Sequence, residues 1–150
     1  MEGEEGDEMI SFNSNEIKFT LKNKTVIKQW ISSITNKKKR RVGDLNFVFC
    51  SDEFLLGMNK QYLNHDTYTD IITFDYSKED KNLPISGDIY ISVDRVRENA
   101  AKFNVAFENE LHRVIIHGTL HLLGYGDKTK AAKEEMRKQE DAALKSLGKG

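Results

Sequence analysis

The chain has 150 residues, 38% of them hydrophobic and 31% charged, with a net charge of −1, a profile that suits an ordinary globular domain with one hydrophobic core. No apolar run approaches the roughly 20 residues a membrane-spanning helix needs, and the acidic, Gly-rich start from Met1 to Asp7 has neither the basic head nor the apolar stretch of a signal peptide. The single cysteine, Cys50, has no intrachain partner, which fits a reducing cytoplasm.

The expected organisation is one domain over residues 1–150, with residues 1–8 a disordered tail. A first short strand is predicted from Ile10 through Phe12. Thr25 to Thr35 reads as a helix, because Val26, Ile27, Trp30, Ile31 and Ile34 recur at helical spacing. Lys37, Lys38, Lys39, Arg40 and Arg41 then form the strongest basic run. Two readings of it stand side by side, a solvated loop between elements and a loop that contacts nucleic-acid phosphates. Leu45, Phe47 and Phe49 alternate with Asn46, Val48 and Cys50, a period of two that predicts a strand. Cys50 is read there as inert core. Ser51 or Asp52 can cap the following helix, which is expected to turn Phe54, Leu55, Met58 and Tyr62 inward.

Asp70 to Tyr76 is rich in β-branched and aromatic residues and predicts a strand; Ser77 to Ser86 reads as a loop, and Asp88 to Val93 as another strand. Three helical segments follow, at Asp94–Phe103, Phe107–Leu123 and Lys130–Leu147, with Gly148 where a helix stop would sit. Strands and helices are mixed, with the helices concentrated late. The fold class is therefore α+β, one sheet covered mainly by helices.

The informative segment runs His117-Gly-Thr-Leu-His121-Leu-Leu-Gly124-Tyr-Gly-Asp127. On a helix, His117 and His121 stand one turn apart on one face, able to grip one ion. That spacing alone is weak, and a pair of packed or hydrogen-bonded helix histidines would show it too. The context strengthens it. The surrounding helix is very apolar, so buried imidazoles need polar partners. Gly124 can end the helix with positive φ, and the returning chain can then bring the Asp127 carboxylate to the same ion. Two histidines and one carboxylate with an open position make a zinc site of the catalytic kind, although nickel, cobalt and iron suit the same donors. His112, five residues before His117, faces another way and reads as a surface or capping residue. The spacing is similar to the metzincin proteases, but the glutamate that serves them as general base is here Gly118, which argues against a peptidase.

From about Leu45 to Ala143 the sequence resembles the YbeY-type endoribonucleases, the rRNA maturation factor family. The likeness rests on Met58-Asn59-Lys-Gln-Tyr62 with Asp66, on Thr69-Asp70-Ile-Ile-Thr-Phe74, on Gly87-Asp88-Ile-Tyr-Ile-Ser92, and on the His117 to Asp127 segment preceded by Glu110-Leu111-His112-Arg113. The resemblance implies an α+β fold with a small mixed sheet, its histidines on a central helix. It also implies a cytoplasmic zinc enzyme that cleaves single-stranded RNA, matures ribosomal RNA and takes part in ribosome quality control, with the small subunit as partner. Two positions depart from the family pattern. Asp127 stands where the family usually has a third histidine, and Leu63 stands where it usually has an arginine tied to RNA cleavage. Lys128, Lys130 and Arg113 are the candidate cations to replace that arginine. Asp70 and Asp88 are candidates to hydrogen-bond a ligand histidine from behind or, more plainly, to cap a neighbouring element. Two rival readings remain: a ribosome assembly factor with a structural metal, and a metal-dependent hydrolase of another substrate such as peptides.

Overall fold

The computed structural model describes residues 9–65, 67–77 and 80–148. The expected tail at residues 1–8 and Asp66 of the first motif lie outside them. Among the described residues the elements run β1 (Ile10–Asn15), α1 (Lys24–Lys37), β2 (Val42–Cys50), α2 (Asp52–Leu63), β3 (Ile71–Asp75), β4 (Ile85–Ser92), α3 (Val93–Phe103), α4 (Phe107–Leu122) and α5 (Lys130–Ser146). The four strands form one mixed sheet in the order β1-β2-β4-β3, parallel except for the antiparallel pairing of β3 with β4. The α+β class read from the sequence is the class observed.

Alternation along the strands decides which face is buried. Register aligns Phe12, Phe47 and Ile89 across β1, β2 and β4 on one face, with Leu45 and Ile91 beside them. These side chains form the main core with Ile31 of α1 and Ile115 and Leu120 of α4. The opposite face carries Ser11, Asn13 and Asn46, joined by hydrogen bonds of 2.7 and 2.8 Å to the Asn46 side chain. There α2 covers only a smaller cluster of Cys50, Leu55 and Ile72.

Helix α4 is the central helix. It packs against β3, β4, α3 and α5, so apolar residues are needed all round it. Gly118 is what lets it lie close to the sheet: a Cβ there would stand 2.9 Å from Cγ2 of Ile89 and 3.0 Å from Cδ1 of Ile71. His112 is correspondingly only 6% exposed and packs edge-on against Trp30, so the expected surface position is corrected. The Trp30 indole N–H donates to the Ala143 carbonyl at 2.8 Å and ties α1 to α5.

Side-chain caps start three helices: Ser51 accepts from the Phe54 N–H, Ser92 from Arg95 and Thr129 from Ala132. Tyr62 departs from its expected inward position. It is 59% exposed at the end of α2, with its ring edge-on to that of Phe74.

Candidate metal centre

The last turn of α4 and the loop after it build the site. Leu123 and Gly124 donate backbone N–H groups to carbonyls at the helix end, and Gly124 has φ +104°, a conformation that glycine adopts without a Cβ penalty. The chain reverses there and returns Asp127 to the histidines. Oδ2 of Asp127 lies 3.4 Å from Nε2 of His117 and 3.4 Å from Nε2 of His121. The imidazole rings are 4.5 Å apart and nearly perpendicular. One ligand atom from each of the three residues falls within 4.8 Å of the others.

The other ring nitrogens explain why Nε2 is the free atom. His117 Nδ1 is 2.6 Å from Oε2 of Glu140, a carboxylate that can only accept, so the proton sits on Nδ1. His121 Nδ1 is 2.9 Å from the carbonyl oxygen of Tyr125, which likewise can only accept. In the neutral rings both Nε2 lone pairs and the Asp127 carboxylate then point at one small volume. Converging acceptors with no donor between them call for a cation, and this donor set fits a divalent transition metal.

Without an ion, the surroundings act on the two rings in opposite directions. Burial would lower the His117 pKa, but the hydrogen bond and charge of Glu140, with the charges of Asp127 and Asp70, outweigh it and raise the value. His121 is lowered by its burial and by the neighbouring His117.

Glu140 is the residue that sequence reasoning missed. It is 5% exposed, and its second oxygen accepts from Nη1 of Arg113 at 2.7 Å. A signal was present, since Met136, Glu140 and Leu144 recur every fourth residue and all three are buried. An acid in an apolar stripe needs a partner.

The candidate residues sort themselves by position. Asp70 lines the same cleft as His117, with its pKa raised by burial. Asp88 is a correction. It alternates with Gly87 and Ile89 and so projects from the opposite face of β4, where it accepts from the Tyr76 hydroxyl at 2.7 Å. Arg113 lines the cleft, but it is held by Glu140 and by Asp141 at 2.7 Å each. Lys128 and Arg137 also line it and are exposed, and Leu63 sits at its rim, 44% exposed. Within the basic run, Lys37, Lys39 and Arg41 are exposed, whereas Lys38 bonds Gln139 and Arg40 bonds the Leu83 carbonyl. Cys50 is fully buried and its thiol is pushed up to about 12 by that burial, as suits an inert core residue. The cleft has a volume of about 820 Å³. Among the described residues, no helix is long and apolar enough to cross a membrane.

Fold and site together define an α+β protein with a three-donor cluster, able to hold a metal ion, at the floor of an open cleft. The family model described as Endoribonuclease YbeY matches residues 9–148. The chain is 53% identical over 137 residues to an Endoribonuclease YbeY of Flavobacterium psychrophilum, covering 91% of this chain and 95% of that one. It is 48% identical over 138 residues to the one of Cytophaga hutchinsonii, with 92% and 95% covered. A solution structure of a Thermotoga maritima protein superposes with a TM-score of 0.62 at 30% identity, covering 91% and 90% of the two chains. The chain belongs to the Endoribonuclease YbeY family.

Proposed function

We propose that the protein is a metal-dependent endoribonuclease that cuts single-stranded RNA in the cytoplasm, during small-subunit ribosomal RNA maturation and ribosome quality control. The observation that carries the reading is the convergence of His117 Nε2, His121 Nε2 and Asp127 Oδ2 at the floor of a cleft, in a chain of this family. A structural zinc takes four protein ligands as a rule, and among the described residues only three gather, which favours an open, reactive site.

Zinc held by those three side chains would supply a Lewis acid and an activated water for phosphodiester cleavage. The protein's own residues do the rest. Glu140 keeps the His117 proton on Nδ1, and the Tyr125 carbonyl does the same for His121. Arg113, bound to two acids, fixes Glu140 instead of meeting substrate. Lys128 and Arg137, exposed at the cleft, bring the positive charge that Leu63 does not, and oppose the negative charge that builds on the phosphate. Gly118 leaves no room for the acid that a peptidase would carry beside its first histidine.

The test is cleavage of a labelled single-stranded RNA by protein of measured zinc content, beside His121→Ala. Metal and cleavage should be lost together in the variant. The product ends report the nucleophile: a 2′,3′-cyclic phosphate means attack by the RNA's own 2′-hydroxyl, and its absence means attack by water. Undiminished cleavage by metal-free His121→Ala would overturn the mechanism. No cleavage by zinc-loaded wild type would favour the assembly-factor reading.

A further inference from the structure

The basic run from Lys37 to Arg41 does not act as one unit. Lys38 closes the end of α1 and is half-buried, whereas Lys37 and Lys39 on either side are exposed. Its backbone N–H donates to the Thr35 carbonyl at 3.1 Å, so its side chain leaves from a fixed point. That side chain meets two residues far away in sequence. Its ammonium donates to Oε1 of Gln139 on α5 at 2.6 Å and stands 5.2 Å from the centre of the Tyr125 ring.

Both contacts lie one step behind the metal centre. Tyr125 is the residue whose carbonyl accepts from His121 Nδ1, and Gln139 precedes Glu140, whose carboxylate accepts from His117 Nδ1. The neighbours of Tyr125 show why it needs an anchor. It stands between Gly124 and Gly126, residue types that leave the backbone on either side free to turn. At both glycines a Cβ would meet nothing within 4 Å, so the surroundings do not press on the chain there. The Tyr125 N–H donates to the Leu120 carbonyl at 3.0 Å, and its ring packs on the main core and faces the Lys38 ammonium. The Gln139 amide is fixed in turn, because its nitrogen donates to Oε2 of Glu135 at 2.7 Å and leaves its oxygen for Lys38.

We propose that Lys38 is a positioning residue for the metal centre, a clamp that ties the loop supporting His121 to the helix supporting His117. A cation on a ring face and a charged hydrogen bond both favour that arrangement. The inference rests on the metal-centre part of the proposed function and adds a residue outside the ligand set. Two accounts of Lys38 differ in sign. As a bare charge it repels a divalent cation, so its loss would tighten zinc binding or, after screening by salt, leave it unchanged. As a clamp, its loss weakens zinc binding.

The test is zinc affinity of the full chain, read by competition with a chelator. Lys38→Met keeps most of the aliphatic stem and removes the ammonium. Lys38→Arg keeps a cation that can stack on a ring and donate, and Lys39→Met removes one charge from the same run. Lys38→Met should bind zinc roughly three- to tenfold more weakly, short of the larger losses seen when a direct outer partner of a ligand is removed. Lys38→Arg should recover most of that loss, and Lys39→Met should match wild type. Tyr125→Leu breaks the same contact from the other side, so it should weaken zinc binding too, and combining it with Lys38→Met should cost little more than either change alone. A second readout needs no metal: nitrogen NMR shifts of His121 in the metal-free protein report which ring nitrogen carries the proton. The neutral ring should carry it on Nδ1 in wild type, with a larger share on Nε2 in Lys38→Met. Zinc affinity in Lys38→Met equal to or tighter than wild type, an equal loss in Lys39→Met, or full additivity with Tyr125→Leu would each overturn the clamp while leaving the metal centre standing. A wild type that binds no zinc would overturn the metal centre itself, and the clamp with it.

Discussion

Replacing Glu140 with glutamine tests the logic of the metal centre without touching a ligand. The carboxylate accepts from His117 Nδ1 and from Arg113 Nη1 at once. A glutamine has one accepting oxygen and one donating nitrogen, so it can serve only one of them. With the oxygen toward Arg113, its amide nitrogen faces His117 and favours the tautomer protonated on Nε2, the atom that must bind metal. With the amide reversed, two donors meet at Arg113. Loss of such an outer hydrogen bond weakens metal binding by about 10- to 100-fold, or roughly 1.4 to 2.7 kcal/mol. Arg113 keeps its 2.7 Å bond to Asp141, so the loss of folding stability in the metal-free protein should stay near that of one buried hydrogen bond, about 1–3 kcal/mol. Zinc affinity is read by competition with a chelator, and folding by urea denaturation of the metal-free protein. An unchanged zinc affinity in a folded Glu140→Gln protein would refute the role assigned to this residue.

Zinc in roughly 100-fold excess over its Kd should stabilise the native state by about 2.7 kcal/mol, which for a chain of this size is roughly 5–10 °C in Tm; His121→Ala should show almost none of that rise in a thermal melt. Gly118→Ala gains about 1 kcal/mol of helix propensity but forces a methyl group against Ile89, which is fully buried, at an overpacking cost of about 1–3 kcal/mol. The net effect in urea should be destabilising, and a stabilised variant would show that α4 can move off the sheet. The Glu110 pKa is raised by burial and by the charge of Asp70. A carboxyl whose folded pKa lies above its unfolded value contributes stability at acid pH that is lost as pH rises through the folded pKa. Glu110→Gln should therefore be more stable than wild type at neutral pH, with the difference vanishing near pH 4, below the ordinary glutamate value of about 4.3; a less stable variant at pH 7 would contradict the reasoning.

Local pattern made much of the fold legible. The alternation in β2 and the dense apolar periodicity of α4 set their ends within a residue or a few. What was hidden depends on partners distant in sequence. Ile85 and Ser86 look like loop after Pro84, yet Ile85 pairs with Val42 and donates to the Arg41 carbonyl at 2.8 Å, so β4 starts there. β1 runs on to Asn15 through polar residues because Asn46 on the neighbouring strand satisfies Ser11 and Asn13. The same holds at the site. The ligand trio lies within one short segment, and helix spacing with a glycine turn reveals it. Glu140 comes from another helix, and only docking of that helix brings it to His117. Asp88 shows the limit of reading an acid by its motif, since one step along a strand decides which face it serves.

The bond between His117 and Glu140 also orders events in time. A ribosome releases the chain from its N-terminus, at roughly 5–20 residues per second. All three metal donors have been made by Asp127, but the residue that fixes the tautomer of the first of them follows in α5. Until that helix is made and docked against α4, the cleft has its donors without the proton arrangement that binds metal well. The hydrogen-bonded form of the cluster is therefore complete only once the last helix has docked against α4.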